Sequence, residues 1–207
     1  MILGSALLLT ACGNKQNDAQ PSTTNTNALP ITQTAMDCAE AIQNYLSNAD
    51  LQWNGAEIQT NDAIVVNYIG RLNDHEVFDT SIESIAQACW VYNPARNYEE
   101  GLPFTVGAGQ MIAGFDAAVV GMKLGQTKTI TIPAKDAYGE RSEEYIQTFP
   151  LSEVPNPEQF HEGMQISLGY GMNAIVTKIT DKEITLDMNH ELAGKDLIFD
   201  ITIKSIN

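Results

Sequence analysis

The clearest alternation along the chain lies near its far end. Leu197, Phe199, Ile201 and Ile203 alternate there with Ile198, Asp200, Thr202 and Lys204. A period of two turns successive side chains to opposite faces, so the stretch predicts a half-buried strand. Residues 64–72 (IVVNYIGRL) are rich in β-branched and aromatic side chains and predict another strand. Asn73-Asp74 reads as a turn and HEVFD as a second short strand. Helical spacing appears elsewhere. Thr34-Ala-Met-Asp37 fits a helix start, and Ala35, Cys38, Ala39, Ile42 and Leu46 continue it to about Asn48. Thr80-Ser-Ile-Glu83 reads as a capping box, followed by Ile82, Ile85, Ala86 and Cys89 on one face of a helix over 81–89. The segment WVYNPARNYEEGLP then has loop chemistry. Residues 104–106 predict a strand. Phe115, Ala118, Val119 and Met122 share one face of a short helix, and TKTITIP after a turn at 123–126 predicts a further strand.

Residues 142–189 form a separate, acid-rich unit with their own strand candidates, YIQTF, MQISLG, AIVTKI and EITLDM. A small, mainly antiparallel module is expected, interrupted early by Pro150, Pro155 and Pro157. Met164, Met172 and Met188 fall here with Tyr145, Phe149, Phe160 and Tyr170. They read either as a small core or as an adaptable apolar surface that grips unfolded chains, and composition does not separate the two.

Five glycines punctuate 104–133, at 107, 109, 114, 121 and 125. A phosphate loop would need G-x-G-x-x-G or a following G-K-[ST], and neither spacing is present. Glycines also clear side chains from exposed backbone N–H groups. An apolar hollow floored by Phe115, with a free amide at its lip, would suit an extended peptide carrying one apolar residue.

The formal charge of −15 on 207 residues excludes polyanion partners, so no nucleic acid is expected. No apolar run approaches the ~20 residues of a membrane-spanning helix. The first residues, MILGSALLLTAC, resemble a bacterial lipobox whose Cys12 would carry the lipid. No Lys or Arg precedes that cysteine, so the signal segment 1–12 is read as incomplete. Residues 13–34 are polar and Pro-containing and are expected to be a flexible tether reaching ~25–30 Å. Cys38 and Cys89 both lie on apolar helix faces. Outside the cytoplasm they could pair as a disulfide; two ordinary buried thiols are the other reading.

VNYIGRL, EVFDTS, LPFTVGAGQMIAGFDAAVVGMKLGQTKTITIPAKDAYGER and NHELAGKDLIFDITI, in that order, resemble the FKBP-type peptidyl-prolyl isomerases over most of 62–207. NHELAG after a long interruption is similar to the SlyD-like branch, in which an insert-in-flap domain replaces the flap. YNPARNYEEGLPF resembles the longer insertion of some prokaryotic members. The resemblance implies an α+β fold: an antiparallel half-barrel sheet wrapped on a short helix, with a small mainly-β insert and a short N-terminal helix. The implied domains are a helical extension (35–57), an isomerase domain (58–141 with 190–207) and the insert (142–189). The family's site maps onto Tyr68, Phe78, Asp79, Ile112, Tyr138 and Phe199 as catalytic positions and Phe104, Met111 and Phe115 as substrate contacts. Many members carry Trp where this chain has Phe115. The Tyr138 hydroxyl and the Ile112 amide would hold the substrate backbone, and Asp79 would orient Tyr68. SlyD's metal-binding tail has no counterpart here, so no metal is expected.

Rotation about an X–Pro bond breaks no bond and needs no cofactor. The expected partners are unfolded or proline-containing polypeptides and, through the lipid, a membrane of the cell envelope on its extracytoplasmic side. The chain is expected to be a monomer. The competing expectation is a non-catalytic holdase on the same scaffold.

Overall fold

The computed structural model describes residues 37–49, 55–169 and 172–207. The proposed signal segment, Cys12, the tether, Thr34, Ala35 and Tyr170 lie outside the described residues. The described chain divides into two compact units, one holding 37–49, 55–140 and 192–207, the other 141–169 and 172–191.

In chain order the first unit carries α1 (Cys38–Ser47), β1 (Ala63–Asn73), β2 (Glu76–Thr80), α2 (Glu83–Ala88), β3 (Leu102–Thr105), α3 (Ala113–Val119) and β4 (Thr127–Ile132). The second unit supplies β5 (Ile146–Pro150), β6 (Gln165–Gly169), β7 (Met172–Ile179) and β8 (Glu183–Asp187), and β9 (Leu197–Ile206) returns to the first. β1 pairs with β9 from Ile64 opposite Ile206 to Arg71 opposite Ile198. Its other edge is shared: β3 takes Ala63–Val66 and β2 takes Ile69–Asn73. β4 closes the outer side of β9, and every pairing is antiparallel. Antiparallel sheets with a few short helices make this an α+β fold.

Both faces of this sheet carry buried apolar side chains. Ile64, Val66 and Tyr68 of β1 join Leu197, Phe199, Ile201 and Ile203 of β9 in a core with Phe115 and Val119 of α3. Ile69 and Val77 point the other way and pack with Cys38, Ala41 and Ile42 of α1 and Ile85 of α2. α1 starts at Asp37, whose carboxylate accepts from the Cys38 N–H at 2.8 Å, an N-cap that satisfies an otherwise orphaned donor. Cys38 and Cys89 are joined as a disulfide with Cα atoms 4.6 Å apart, tying α1 to the end of α2.

Two local readings are corrected. The expected capping box at 80–83 does not form. The N-cap of α2 is Ile82, which makes no side-chain cap bond. The Thr80 hydroxyl instead accepts from Ile82 N–H and donates to the Tyr68 carbonyl at 2.7 Å, so it fastens β2 to β1. The second face of β9, expected to be half open, is covered. Asp200 is fully buried and accepts from Arg71 Nε at 2.8 Å and from the Thr129 hydroxyl at 2.6 Å. Next to it, the Tyr45 hydroxyl of α1 bonds the Thr202 hydroxyl at 2.8 Å. Alternation reports two faces but not what lies over the second one.

The second unit is a four-stranded antiparallel sheet in the order β5-β8-β7-β6. Pro150 sits on edge strand β5, where its missing N–H costs no ladder bond. Ile166, Val176, Ile184 and Leu186 form a core with Val154 and Phe160. The open alternatives for the methionines and aromatics resolve residue by residue. Phe160 is in that core, and Phe149, Met164 and Met188 pack against it, whereas Met172 and Tyr145 are exposed. Asp187 is buried. Burial alone would push its carboxyl up, but bonds from Asn189 and the Arg141 guanidinium outweigh this and hold it below its ordinary value.

Candidate active site

Tyr68 stands on β1, Phe78 and Asp79 on β2, Phe104 on β3, Phe115 on α3 and Phe199 on β9. Five separate segments therefore deliver these side chains to one face of the sheet. Phe115 is the hub. Its ring centroid lies 5.1 Å from Phe199, 6.0 Å from Tyr68 and 5.9 Å from Phe104. Phe199 also meets Phe78 edge-on at 5.6 Å and Tyr68 at 6.3 Å. Edge-to-face geometry sets the positive ring edges against negative faces and holds the rings at fixed angles. Tyr68, Phe104, Phe115 and Phe199 are buried and Phe78 is half-buried, so the rings belong to the core of this unit. Gly70 lets them meet. A Cβ there would stand 2.6 Å from Phe78 and 2.9 Å from Phe199, closer than carbon atoms tolerate. A glycine inside a strand pattern is the sequence signal for such an approach, and the sequence reading passed over it.

The polar rim is built on Asp79. The Tyr68 hydroxyl donates to Asp79 Oδ2 at 2.5 Å. Burial first, and the bond to Asp79 next, push the Tyr68 hydroxyl well above its ordinary value, so it stays a donor at all physiological pH. Asp79 Oδ1 accepts from its neighbour Thr80 N–H at 2.9 Å and from Arg96 Nη1 at 2.6 Å. Arg96 Nη1 also donates to the Thr80 carbonyl at 2.5 Å and reaches the Tyr68 hydroxyl oxygen at 3.4 Å. The bond to Asp79 raises the guanidinium further above its already high value. Sequence reading assigned 90–103 to loop chemistry and missed Arg96. Nothing in the spacing of a loop arginine tells which carboxylate it will find.

Ile112 is the N-cap of α3, with extended backbone, and its amide donates to no acceptor among the described residues. Met111 is half-buried against the core and lines a shallow hollow of about 460 Å³ beside Gly107, Gly109 and Val120. Tyr138 follows the 3-10 turn Ala134–Asp136 and is 41% exposed. The glycine run carries positive φ at Gly107 (80°) and Gly109 (69°), a conformation open to glycine. Both Asp116 oxygens accept from Gly107 N–H, at 2.9 and 3.0 Å. A carboxylate on that amide repels phosphate, which agrees with the failed motif spacing.

The second unit has its own concavity, a groove of about 520 Å³ bordered by Tyr145, Gln147, Met172, Ile175, Met188 and His190. Tyr145 is 56% and Met172 54% exposed there.

The arrangement is a cluster of aromatic rings bordered by a few fixed donors and the Asp79 carboxylate. The family model for FKBP-type peptidyl-prolyl cis-trans isomerases matches residues 55–204. The short-type peptidyl-prolyl cis-trans isomerase of Methanocaldococcus jannaschii is 43% identical over 150 residues, 72% of this chain and 94% of that protein. A probable FKBP-type 16 kDa isomerase of Pseudomonas fluorescens is 35% identical over 104 residues, 48% of this chain and 69% of the relative. SlyD of Treponema pallidum is 32% identical over 108 residues, 51% of this chain and 61% of its own length. With sheet, helix and matched span in agreement, the chain belongs to the FKBP-type peptidyl-prolyl cis-trans isomerases.

Proposed function

We propose that the five-ring wall and the Tyr68–Asp79 rim are the place where this isomerase turns X–Pro bonds. The barrier of about 18–20 kcal/mol comes from resonance between the amide nitrogen and the carbonyl. A planar imide is more charge-separated than a twisted one, so a dry aromatic wall favours the twisted form relative to water. Each tenfold in rate requires only about 1.4 kcal/mol of such preference. In this reading the prolyl ring seats on Phe115 and Phe199. The Ile112 amide and the Tyr138 hydroxyl hold the flanking carbonyls, and Asp79 keeps the Tyr68 ring turned to the wall. Phe115 as the meeting point of three other rings is the observation that carries this reading.

The setting belongs to the same proposal. Acylation of Cys12 would tether the protein to an extracytoplasmic membrane face, where its clients are exported chains. The Cys38–Cys89 disulfide supports an oxidising compartment. Residues 142–189 act as an insert-in-flap domain that holds unfolded segments and raises their local concentration. The groove with exposed Tyr145, Met172 and Ile175 favours this second activity, because Met and aromatic side chains adapt to varied sequences.

A protease-coupled assay on an Ala-X-Pro-Phe peptide tests the wall. Tyr138→Phe and Phe199→Ala should each slow turnover while the protein stays folded. Wild-type rates in both would place the chemistry elsewhere. Deleting 142–189 should spare the short peptide and weaken refolding of a proline-limited protein; equal loss of both would remove the separate helper role.

A further inference from the structure

The loop 90–101 leaves the end of α2 and returns to β3, and it is built more firmly than a connection requires. Tyr92 and Tyr98 stack nearly parallel, with centroids 5.5 Å apart and planes 12° from each other. The Tyr98 hydroxyl accepts from Asn93 N–H at 2.9 Å, Asn93 Oδ1 accepts from Ala95 N–H at 2.9 Å, and the Asn93 carbonyl accepts from Arg96 N–H at 3.1 Å. The Lys204 ammonium of β9 donates to the Glu99 carbonyl and ties the loop to the sheet.

This rigid loop displays aromatic surface to solvent. Trp90 is 91% exposed and Tyr92 46%. Trp90, at φ +63°, is the left-handed residue that ends α2, where the Val91 N–H closes on the Ala86 carbonyl at 3.0 Å, so the turn fixes the point from which its side chain leaves the helix. Tyr92 and Tyr98 are linked to the Asp79 rim by direct contact, and Trp90 lies two residues before Tyr92. Tyr92 stacks on Tyr98, the Arg96 guanidinium lies 5.9 Å from the Tyr98 ring centre, and Arg96 binds Asp79 at the rim.

We infer that Trp90, Tyr92 and Tyr98 form a shelf that binds the extended chain flanking the isomerised bond, outside the wall that takes the proline itself. The inference rests on the wall being where X–Pro bonds turn. The occupant is a segment of the client polypeptide, extended or polyproline-like. Such chains have no internal hydrogen bonds and dock on exposed aromatic rings that are already ordered. The enzyme acts on prolyl chains, and a chain longer than a few residues must run on past the Asp79 and Arg96 rim. A preformed shelf loses little entropy when it binds such a chain.

Exchange NMR on the full-length protein tests this, using one X–Pro bond placed in a tetrapeptide and at the centre of a longer peptide with proline and aromatic residues in its flanks. For Trp90→Ala and Tyr92→Ala, the ratio of kcat/KM between the long and short peptides should fall about five- to tenfold, mainly through KM on the long one. The exposure of Trp90 keeps its truncation away from the core. An unchanged ratio overturns the shelf. So does an equal loss on both peptides, because the loop would then act only through Asp79. Phe199→Ala separates this from the wall: both peptides should slow together. If neither slows while the Trp90 variant still lowers the ratio, the wall is misassigned and the shelf stands.

Discussion

Asp200 is the position where the structure predicts most against expectation. Its carboxylate is fully buried beside Arg71, whose side chain is 8% exposed, and Asp74 is the second, largely exposed anion on that guanidinium. Asp200→Ala removes the 2.8 Å bond from Arg71 Nε and the 2.6 Å bond from Thr129, and leaves the buried guanidinium with Asp74, at its exposed end, as its remaining anion. Breaking one side of a buried pair costs about 3–5 kcal/mol. For a unit of this size that lowers the thermal midpoint by about 10–25 °C. The double variant Arg71→Met with Asp200→Leu removes both charges while keeping volume, and such replacements come out near neutral. Thermal and urea unfolding, followed by near-UV circular dichroism, measure wild type, Asp200→Ala, the single variants Arg71→Met and Asp200→Leu, and the double variant. Asp200→Ala within about 1 kcal/mol of wild type would refute a stabilising role for the buried pair and show that Asp74 alone satisfies Arg71. A double variant no more stable than the sum of the singles would refute the pairing itself.

Gly70→Ala forces a Cβ to 2.6 Å from Phe78, so it should destabilise by about 1–3 kcal/mol and slow peptide turnover; wild-type values of both would show that the ring approach is unimportant. Cys38→Ser opens a loop of 51 residues and should lower stability by about 4 kcal/mol on the loop-entropy estimate. Urea unfolding reads that loss, and intact mass without reductant should show two hydrogens fewer than the reduced chain. Asp187 has a folded value below its unfolded one, so its contribution is present above the ordinary carboxylate range and disappears as pH falls through the lowered value. Acid unfolding of the 141–191 unit should therefore begin at higher pH in Arg141→Ala; an unmoved acid midpoint would show that Arg141 contributes nothing to that carboxylate.

Much of the architecture was legible in local pattern. The alternation at 197–204 and the β-branched run at 64–72 lie in β9 and β1. The four strand candidates of 142–189 lie in β5 to β8, because each carries apolar residues at the period its element imposes. Helix starts were less legible, since a Thr-x-x-Glu spacing does not say whether the hydroxyl will turn to the helix or, as Thr80 does, to a neighbouring strand. The aromatic residues of the wall were chosen by family likeness. Single rings on strands are ordinarily core residues, and these rings are core as well.

The sequence by itself determined which segments are most of the strands and helices, and that the glycine run lacks phosphate-loop spacing, because these depend on residues close together in the chain. Tertiary structure alone decided that Arg96 would reach Asp79 across 17 positions, that Asp200 would be buried against Arg71 across 129, and that Cys38 would join Cys89. Periodicity assigns a side chain to a face. Partners so far apart in sequence meet only when strand register and loop path are set, and those follow from the packing of the whole sheet.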